Sequence, residues 1–272
     1  MPSPTLLPPA DPQAYAPTPE RPLRAKLRRM NASARIVPHH HDWAQVAFSS
    51  TGVIRMSAAH STYLVPPTRA LWIPPGVEHA VAAVEDAEIR TLYVHRSARF
   101  PDAADAGATP FSLWTACRVL EVSPLLRELV VHLDTAPGPG VASEREQCLV
   151  ALILDELRRA APVRLGVDLP RDKRLRQLCE AVLEQPTRWS TLDQWAAQAG
   201  ASPRTVARLF RSELGTTFQQ WRQQVLLAHA LGLSARKLPM ANIAAELGYA
   251  SASAFSAMVR RTLGAPPSHF FA

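Results

Sequence analysis

Three arginines and a threonine near the end of this 272-residue chain are spaced as a surface that touches another molecule would be. Arg204, Arg208 and Arg211 follow i, i+4, i+7, so on a helix they share one side with Thr205, while Val206, Leu209, Phe210 and Leu214 form an apolar stripe opposite. Guanidinium groups placed this way offer paired donors matched to guanine edges in a major groove, and charge for phosphates. Any surface helix can carry arginines at this spacing, so the pattern alone does not separate a reading face from a solvated one.

The elements around them decide the matter. Ser202 is placed to cap the helix and Pro203 to fill its first position, where a missing amide hydrogen is harmless. Upstream, Leu192 to Ala199 reads as a short amphipathic helix stopped at Gly200, with Ala196 small enough for two helices to cross closely. The product is helix, tight turn, helix. Ser202, Val206, Phe210, Leu214 and Gly215 are matched 49 positions later by Ser251, Phe255, Val259, Leu263 and Gly264, an internal repeat. In the second copy Asn242 to Leu247 is the short helix, Gly248 the stop and Ser251 the cap. An apolar-striped helix from about Phe218 to Leu233 joins the two, and its length of roughly 24 Å suits successive major grooves.

Charge agrees with this reading. Residues 1–170 hold 17 Lys/Arg and 17 Asp/Glu, whereas residues 171–272 hold 13 and 6. The whole excess of +7 therefore sits in the repeat region, where a polyanionic partner is expected. Cys117, Cys148 and Cys179 lie about thirty residues apart, with no close pair for zinc or redox chemistry, and read as buried thiols. Residues 1–22 carry eight prolines and no apolar block long enough for a signal peptide or a membrane span. They read as a disordered, Pro-rich extension of a cytoplasmic protein.

From Lys173 to Phe271 the chain resembles the DNA-binding domain of the AraC/XylS family of transcription regulators, most specifically in TLDQWAAQAGASPRTVARLFRSELG, in IAAELGYASASAFS and in LGAPPSHF. The resemblance implies that Arg204, Thr205 and Arg208 face bases or nearby phosphates, that Arg260 and Arg261 lie along the second site, and that the protein is a homodimer. The second unit departs from the family: Ala257 stands where a long polar or basic residue is usual, Val259 where phenylalanine is usual, and Leu226 at a usual arginine position of the connector. Its face, with Ser251, Ala252, Ser253, Ser256 and Ala257, is short and nearly neutral. The first unit is thus expected to supply most base readout and the second to position the protein through backbone contacts.

Between Ile36 and His95, short runs of alternating apolar and polar residues broken by Gly and Pro predict antiparallel strands of a small barrel or sandwich. Two segments stand out, HHHDWAQVAFSSTG from His39 and WIPPGVEHAV from Trp72. They are similar to the two signature segments of the cupin family, whose barrel often sets histidines and a glutamate around one metal. The corresponding positions are His39, His41, Gln45 and His79, with Gln45 replacing the carboxylate. Three imidazoles alone can hold a divalent metal when geometry allows, but pocket-lining or structural roles weigh more for these histidines, and core or pocket wall for Trp43 and Trp72. Arg69 is a candidate to pair with an anionic effector, but an exposed loop arginine is the commoner case and the reading preferred.

Helical spacing returns from Val122 to about Leu133 and from Ser143 to Arg159, where Leu149, Leu152, Ile153 and Leu157 form a stripe that covers the barrel or pairs with a second copy. Ala161 to Asp172 reads as a linker. The expected organisation is α+β: the extension 1–22, a cupin-like sensor barrel 23–115, a helical dimerisation segment and linker 116–170, and an all-α domain 171–272 with two helix-turn-helix units. The function it implies is a non-enzymatic, effector-responsive regulator of transcription that binds duplex DNA and, as an activator, RNA polymerase. A metal-dependent cupin enzyme with an appended helical domain is the rival, and a nucleic-acid-packaging protein a weaker third reading.

Overall fold

A computed structural model describes residues 5–9, 11, 13–59, 61–100, 109–163, 166–187, 190–263, 266–269 and 271. The chain divides into two units, one of residues 1–59 and 65–164, the other of residues 60–64 and 165–272. Strands of the first unit are β1 (Leu6–Leu7), β2 (Leu23–Met30), β3 (Arg35–His39), β4 (Ala44–Thr51) and β5 (Ile54–Ala58). After β6 (Ser61–Val65) follow β7 (Arg69–Ile73), β8 (His79–Ala83), β9 (Ala87–Val94), β10 (Arg118–Glu121) and β11 (Pro162–Val163). Three helices join them, α1 (Pro110–Leu113), α2 (Pro124–Val131) and α3 (Glu144–Arg159).

One sheet runs β1-β3-β8-β5 and the other β11-β10-β7-β4-β9-β2. Alternation along the second sheet sorts its side chains between two faces. Leu23, Ala25, Val46, Phe48, Ala70, Trp72, Leu92 and Val94 are in one hydrophobic cluster with Leu126, Leu129 and Val130 of α2 and Val150, Ile153, Leu154 and Leu157 of α3. The opposite face carries Lys26, Arg28, Gln45, Ala47, Ile89, Thr91 and Tyr93, which line a small cavity with Ile36 of β3, Met56 of β5 and Val81 of β8. A cupin-like barrel backed by helices is therefore the fold of this half. Trp72 is core, as its sequence context suggests, and its indole donates to the Trp114 carbonyl at 3.0 Å.

Four expectations change. The described part of residues 1–22 is not a loose extension: Leu6–Leu7 pairs in parallel with Arg35–Ile36, and Arg21, only 5% exposed, bridges Glu146 at 2.7 Å and Asp134 at 3.0 Å. Proline suits such an edge, because an extended segment donates few amide hydrogens there. The expected linker is built into strands, with Pro162–Val163 opposite Leu120–Val119 and Gly166–Asp168 opposite Tyr63–Ser61. Arg69 is buried in β7 rather than exposed in a loop, 3.8 Å from Glu121. Of the cysteines, only Cys179 is buried; Cys148 is exposed.

In the second unit, β6 pairs with β12 (Gly166–Asp168), and six helices follow: α4 (Lys173–Glu184), α5 (Leu192–Ala199), α6 (Pro203–Leu214), α7 (Phe218–Ala235), α8 (Met240–Glu246) and α9 (Ala252–Leu263). Trp195, Phe210, Phe218 and Trp221 form an aromatic cluster between α5, α6 and α7, with centroids 4.7 to 6.0 Å apart and every pair but the tilted Trp195–Phe210 edge-to-face. Around the second repeat, Phe255 packs between Tyr249 and Phe271. The two helix pairs are joined by α7, which is buried from Val225 to Leu233 apart from the half-buried His229.

Candidate nucleic-acid interface and sensor pocket

Each helix-turn-helix is held by local hydrogen bonds. Gly200 takes the left-handed conformation at φ 59°, and Ala201 N–H donates to Ala196 O at 3.0 Å, closing α5. Ser202 Oγ then accepts from Thr205 N–H at 3.2 Å, starting α6. The second unit repeats this, with Gly248 at φ 78°, Tyr249 N–H on Ala244 O at 2.8 Å and Ser251 Oγ accepting from Ala254 N–H at 3.1 Å. Gly264, the last member of the repeat, lies outside the described residues.

Along α6, Arg204, Arg208 and Arg211 are exposed while Val206 and Phe210 are buried. Thr205 is half-buried and its hydroxyl lies 2.9 Å from that of Ser202, so both hydroxyls belong to the cap. On the second unit Ser253, Ser256, Arg260 and Arg261 share one shallow depression with Ala252 and Ala257, and Ser251 stays at the cap. A cleft of about 690 Å³ opens between the two helix pairs, and Arg211, Arg222 and Arg261 converge on it with Gln219, Gln223 and Tyr249. Sequence reasoning passed over Arg222, Gln219 and Gln223. Their signal was a polar start, FQQWRQQ, on an otherwise apolar connector.

In the barrel, the ring centroid of His79 lies 4.3 Å from that of His39 and 5.1 Å from that of His41. The Nδ1 of each ring meets a backbone carbonyl, Val37 O at 2.9 Å, Trp43 O at 2.7 Å and Val77 O at 2.9 Å respectively for His39, His41 and His79. A carbonyl only accepts, so Nδ1 carries a hydrogen and donates on all three rings. The Gln45 side-chain oxygen lies 3.0 Å from His41 Nε2. His79 Nε2 is buried without a partner.

An Nδ1–H bonded to a carbonyl is a common support for a metal-ligating histidine, but no group of three or more His, Cys, Asp or Glu side chains among the described residues is arranged to hold a metal ion. With Gln45 in place of a carboxylate, the residues present do not fit the cupin metal. They are hydrogen-bonded rings of the barrel, and Trp43 stacks on His41 with centroids 5.3 Å apart.

Burial pushes the His79 imidazole down to about 4, against the opposing pull of its bond to Val77, and lowers His39 for the same first reason. The unfolded ring titrates near ~6.5. The stability held by the neutral His79 ring is thus complete above that value and is lost as pH falls through the folded one. Urea unfolding at pH 7 and pH 4.5 is expected to show a steep acid loss, of which His79→Gln removes roughly 2 to 3 kcal/mol. An acid loss unchanged in the variant would show that the ring is not held neutral.

Three exposed arginines on one helix-turn-helix, a second such unit, and a separate barrel with a polar pocket define a DNA-binding regulator with a sensor domain. Residues 25–161 match the AraC-like ligand binding domain and residues 195–272 a helix-turn-helix domain. The HTH-type transcriptional regulator NimR of Escherichia coli K12 is 31% identical over 234 residues, covering 86% of this chain and 81% of the relative. The arabinose operon regulatory protein of the same strain is 30% identical over 51% of this chain and 48% of its own. A crystal structure of ToxT from Vibrio cholerae O395 aligns over 92% of this chain and 97% of that one at 12% identity, with a TM-score of 0.37. The chain belongs to the AraC family of transcription regulators, with a ligand-binding and a DNA-binding domain.

Proposed function

We propose that the two helix-turn-helix units read one operator unequally and that a small-molecule effector held in the barrel sets how well they fit it. The observation that carries this is the difference between the two capped units: Arg204 and Arg208 stand exposed on the first, whereas the second presents serines and alanines bordered by Arg260 and Arg261. Arg204 and Arg208 make base contacts. Ser202, Thr205, Ser251, Ser253, Ser256, Arg260 and Arg261 lie against sugar and phosphate, and Arg211 lines the cleft. His39, His41, Gln45 and His79 form the polar end of the effector pocket.

Competition of a selected duplex against random duplex at physiological salt tests this reading; strong preference is expected, and parity would overturn it. Arg261→Ala should weaken both duplexes alike and reduce the slope of log affinity against log salt by about one. A loss confined to the operator would move Arg261 to the bases.

A homodimer is part of the proposal. Ile153 and Leu157 of the α3 stripe pack inward, but Leu152 is 49% exposed, and Leu125 on α2 is exposed as well. A second copy covering them brings two DNA-binding domains to repeated half-sites. Sedimentation should show a dimer that Leu152→Asp dissociates; a monomer with and without DNA would contradict it. The protein acts in the cytoplasm, where an activating form meets RNA polymerase, and it catalyses no reaction. Among the described residues no helix is long and apolar enough to cross a membrane.

A further inference from the structure

The barrel cavity carries a charge that the family assignment does not explain. Lys26 and Arg28, two residues apart on β2, both point into it, opposite Thr91 and Ile89 of β9. No acidic side chain is among the described residues that line it. Lys26 is half-buried, and the neighbour found for its ammonium is the face of the Tyr15 ring, 5.7 Å away. Arg28 donates to the Pro8 carbonyl at 2.8 Å. Both cations lie near enough to His39 to help lower its affinity for a proton.

A buried cation without a counter-charge is costly, and a protein normally pairs it. Here burial, reinforced by Arg28, pushes the Lys26 ammonium down to about 8. Tyr93, by contrast, is driven up to about 12 by burial and stays a neutral hydroxyl donor. Beyond these groups the walls are apolar, with Ile36, Met56, Val81 and Ile89. The free space is about 20 Å³, room for one water-sized group, so an occupant must displace lining side chains.

From this arrangement we infer that the effector of the barrel is a small organic carboxylate, its anionic end paired with Lys26 and Arg28 and its apolar body against Met56, Val81 and Ile89. This rests on the reading of the barrel as the effector domain and specifies its ligand. A carboxylate supplies the missing counter-charge and accepts from the Lys26 ammonium and from a Thr91 or Tyr93 hydroxyl. A neutral sugar or a cation leaves Lys26 unpaired or repels it.

The test is calorimetric titration of the full chain with butyrate, hexanoate and benzoate, beside butanol, hexanol and benzyl alcohol as uncharged counterparts. At least one acid should bind saturably, its alcohol should not, and Lys26→Gln should weaken the acid by about tenfold or more while Lys26→Arg keeps most of the affinity. Circular dichroism of both variants verifies folding. Alcohols binding as tightly as acids, acid binding indifferent to Lys26→Gln in a folded variant, or no binding by any acid would each overturn the inference. None of these outcomes affects selection of an operator by the DNA-binding unit, whose absence is the separate failure of the regulatory reading.

Discussion

Trp221→Ala is expected to unfold the DNA-binding unit and abolish operator binding. The side chain is fully buried, its centroid lies 5.7 Å from Trp195 and 5.8 Å from Phe210, and its indole N–H donates to Asp168 O at 2.7 Å. Truncating a buried tryptophan costs about 3 to 5 kcal/mol, and here it also leaves the Asp168 carbonyl without its donor. That loss is comparable to the whole stability of a small domain. The helical part of the thermal transition should disappear, leaving a transition from the barrel. Trp221→Phe keeps most of the packing and should lose much less. Retention of operator binding by Trp221→Ala would show that α7 is held by something other than this cluster.

Arg208→Ala should produce the largest loss of discrimination without loss of fold. Arg208 is exposed one turn beyond Arg204, on a helix anchored by Val206 and Phe210, so truncation removes a contact and little packing. A bidentate guanidinium on a guanine edge is worth about 1 to 3 kcal/mol, and operator affinity measured by fluorescence anisotropy should fall by about 5- to 150-fold. Affinity for random duplex should fall far less. Equal losses on the two duplexes would assign Arg208 to phosphate.

The parts that were legible in the sequence are those whose causes are local. The cap of Ser202 on Thr205 spans three residues and the stop at Gly200 a single one, so α5 forms over Leu192–Ala199 as its spacing predicts and α6 begins at Pro203. The repeat adds a second copy of the same evidence. Distant pairing was not legible: Arg21 meets Glu146 across 125 positions, and nothing in the proline-rich segment foretells it. Pro162–Val163 reads as a linker because its partner, β10, is set by the sheet rather than by its own composition. The α3 stripe has one period whether a sheet or a second copy buries it, and only the structure separates Ile153 and Leu157 from Leu152.

The candidate sites divide the same way. Arg204 and Arg208 follow from helical periodicity. The histidines of the barrel are visible as residues, but their shared Nδ1 hydrogen bonds depend on carbonyls that the folded backbone delivers. The alternation LRAKLRRM shows a charged face on β2, yet a charged strand face ordinarily meets water. Register alone turns it inward, by setting Lys26 opposite Thr91 and Thr91 opposite Ala47.

Selection of bound sequences from random duplex DNA by the full chain, at physiological salt and beside Arg204→Ala, tests the central claim most directly. Recovery of one enriched, asymmetric site, repeated if the protein binds as a dimer, is expected, with enrichment collapsing in the variant at positions under the first helix-turn-helix. Enrichment of no sequence by the folded protein, with or without the carboxylates above, would contradict a regulator that reads its operator through α6.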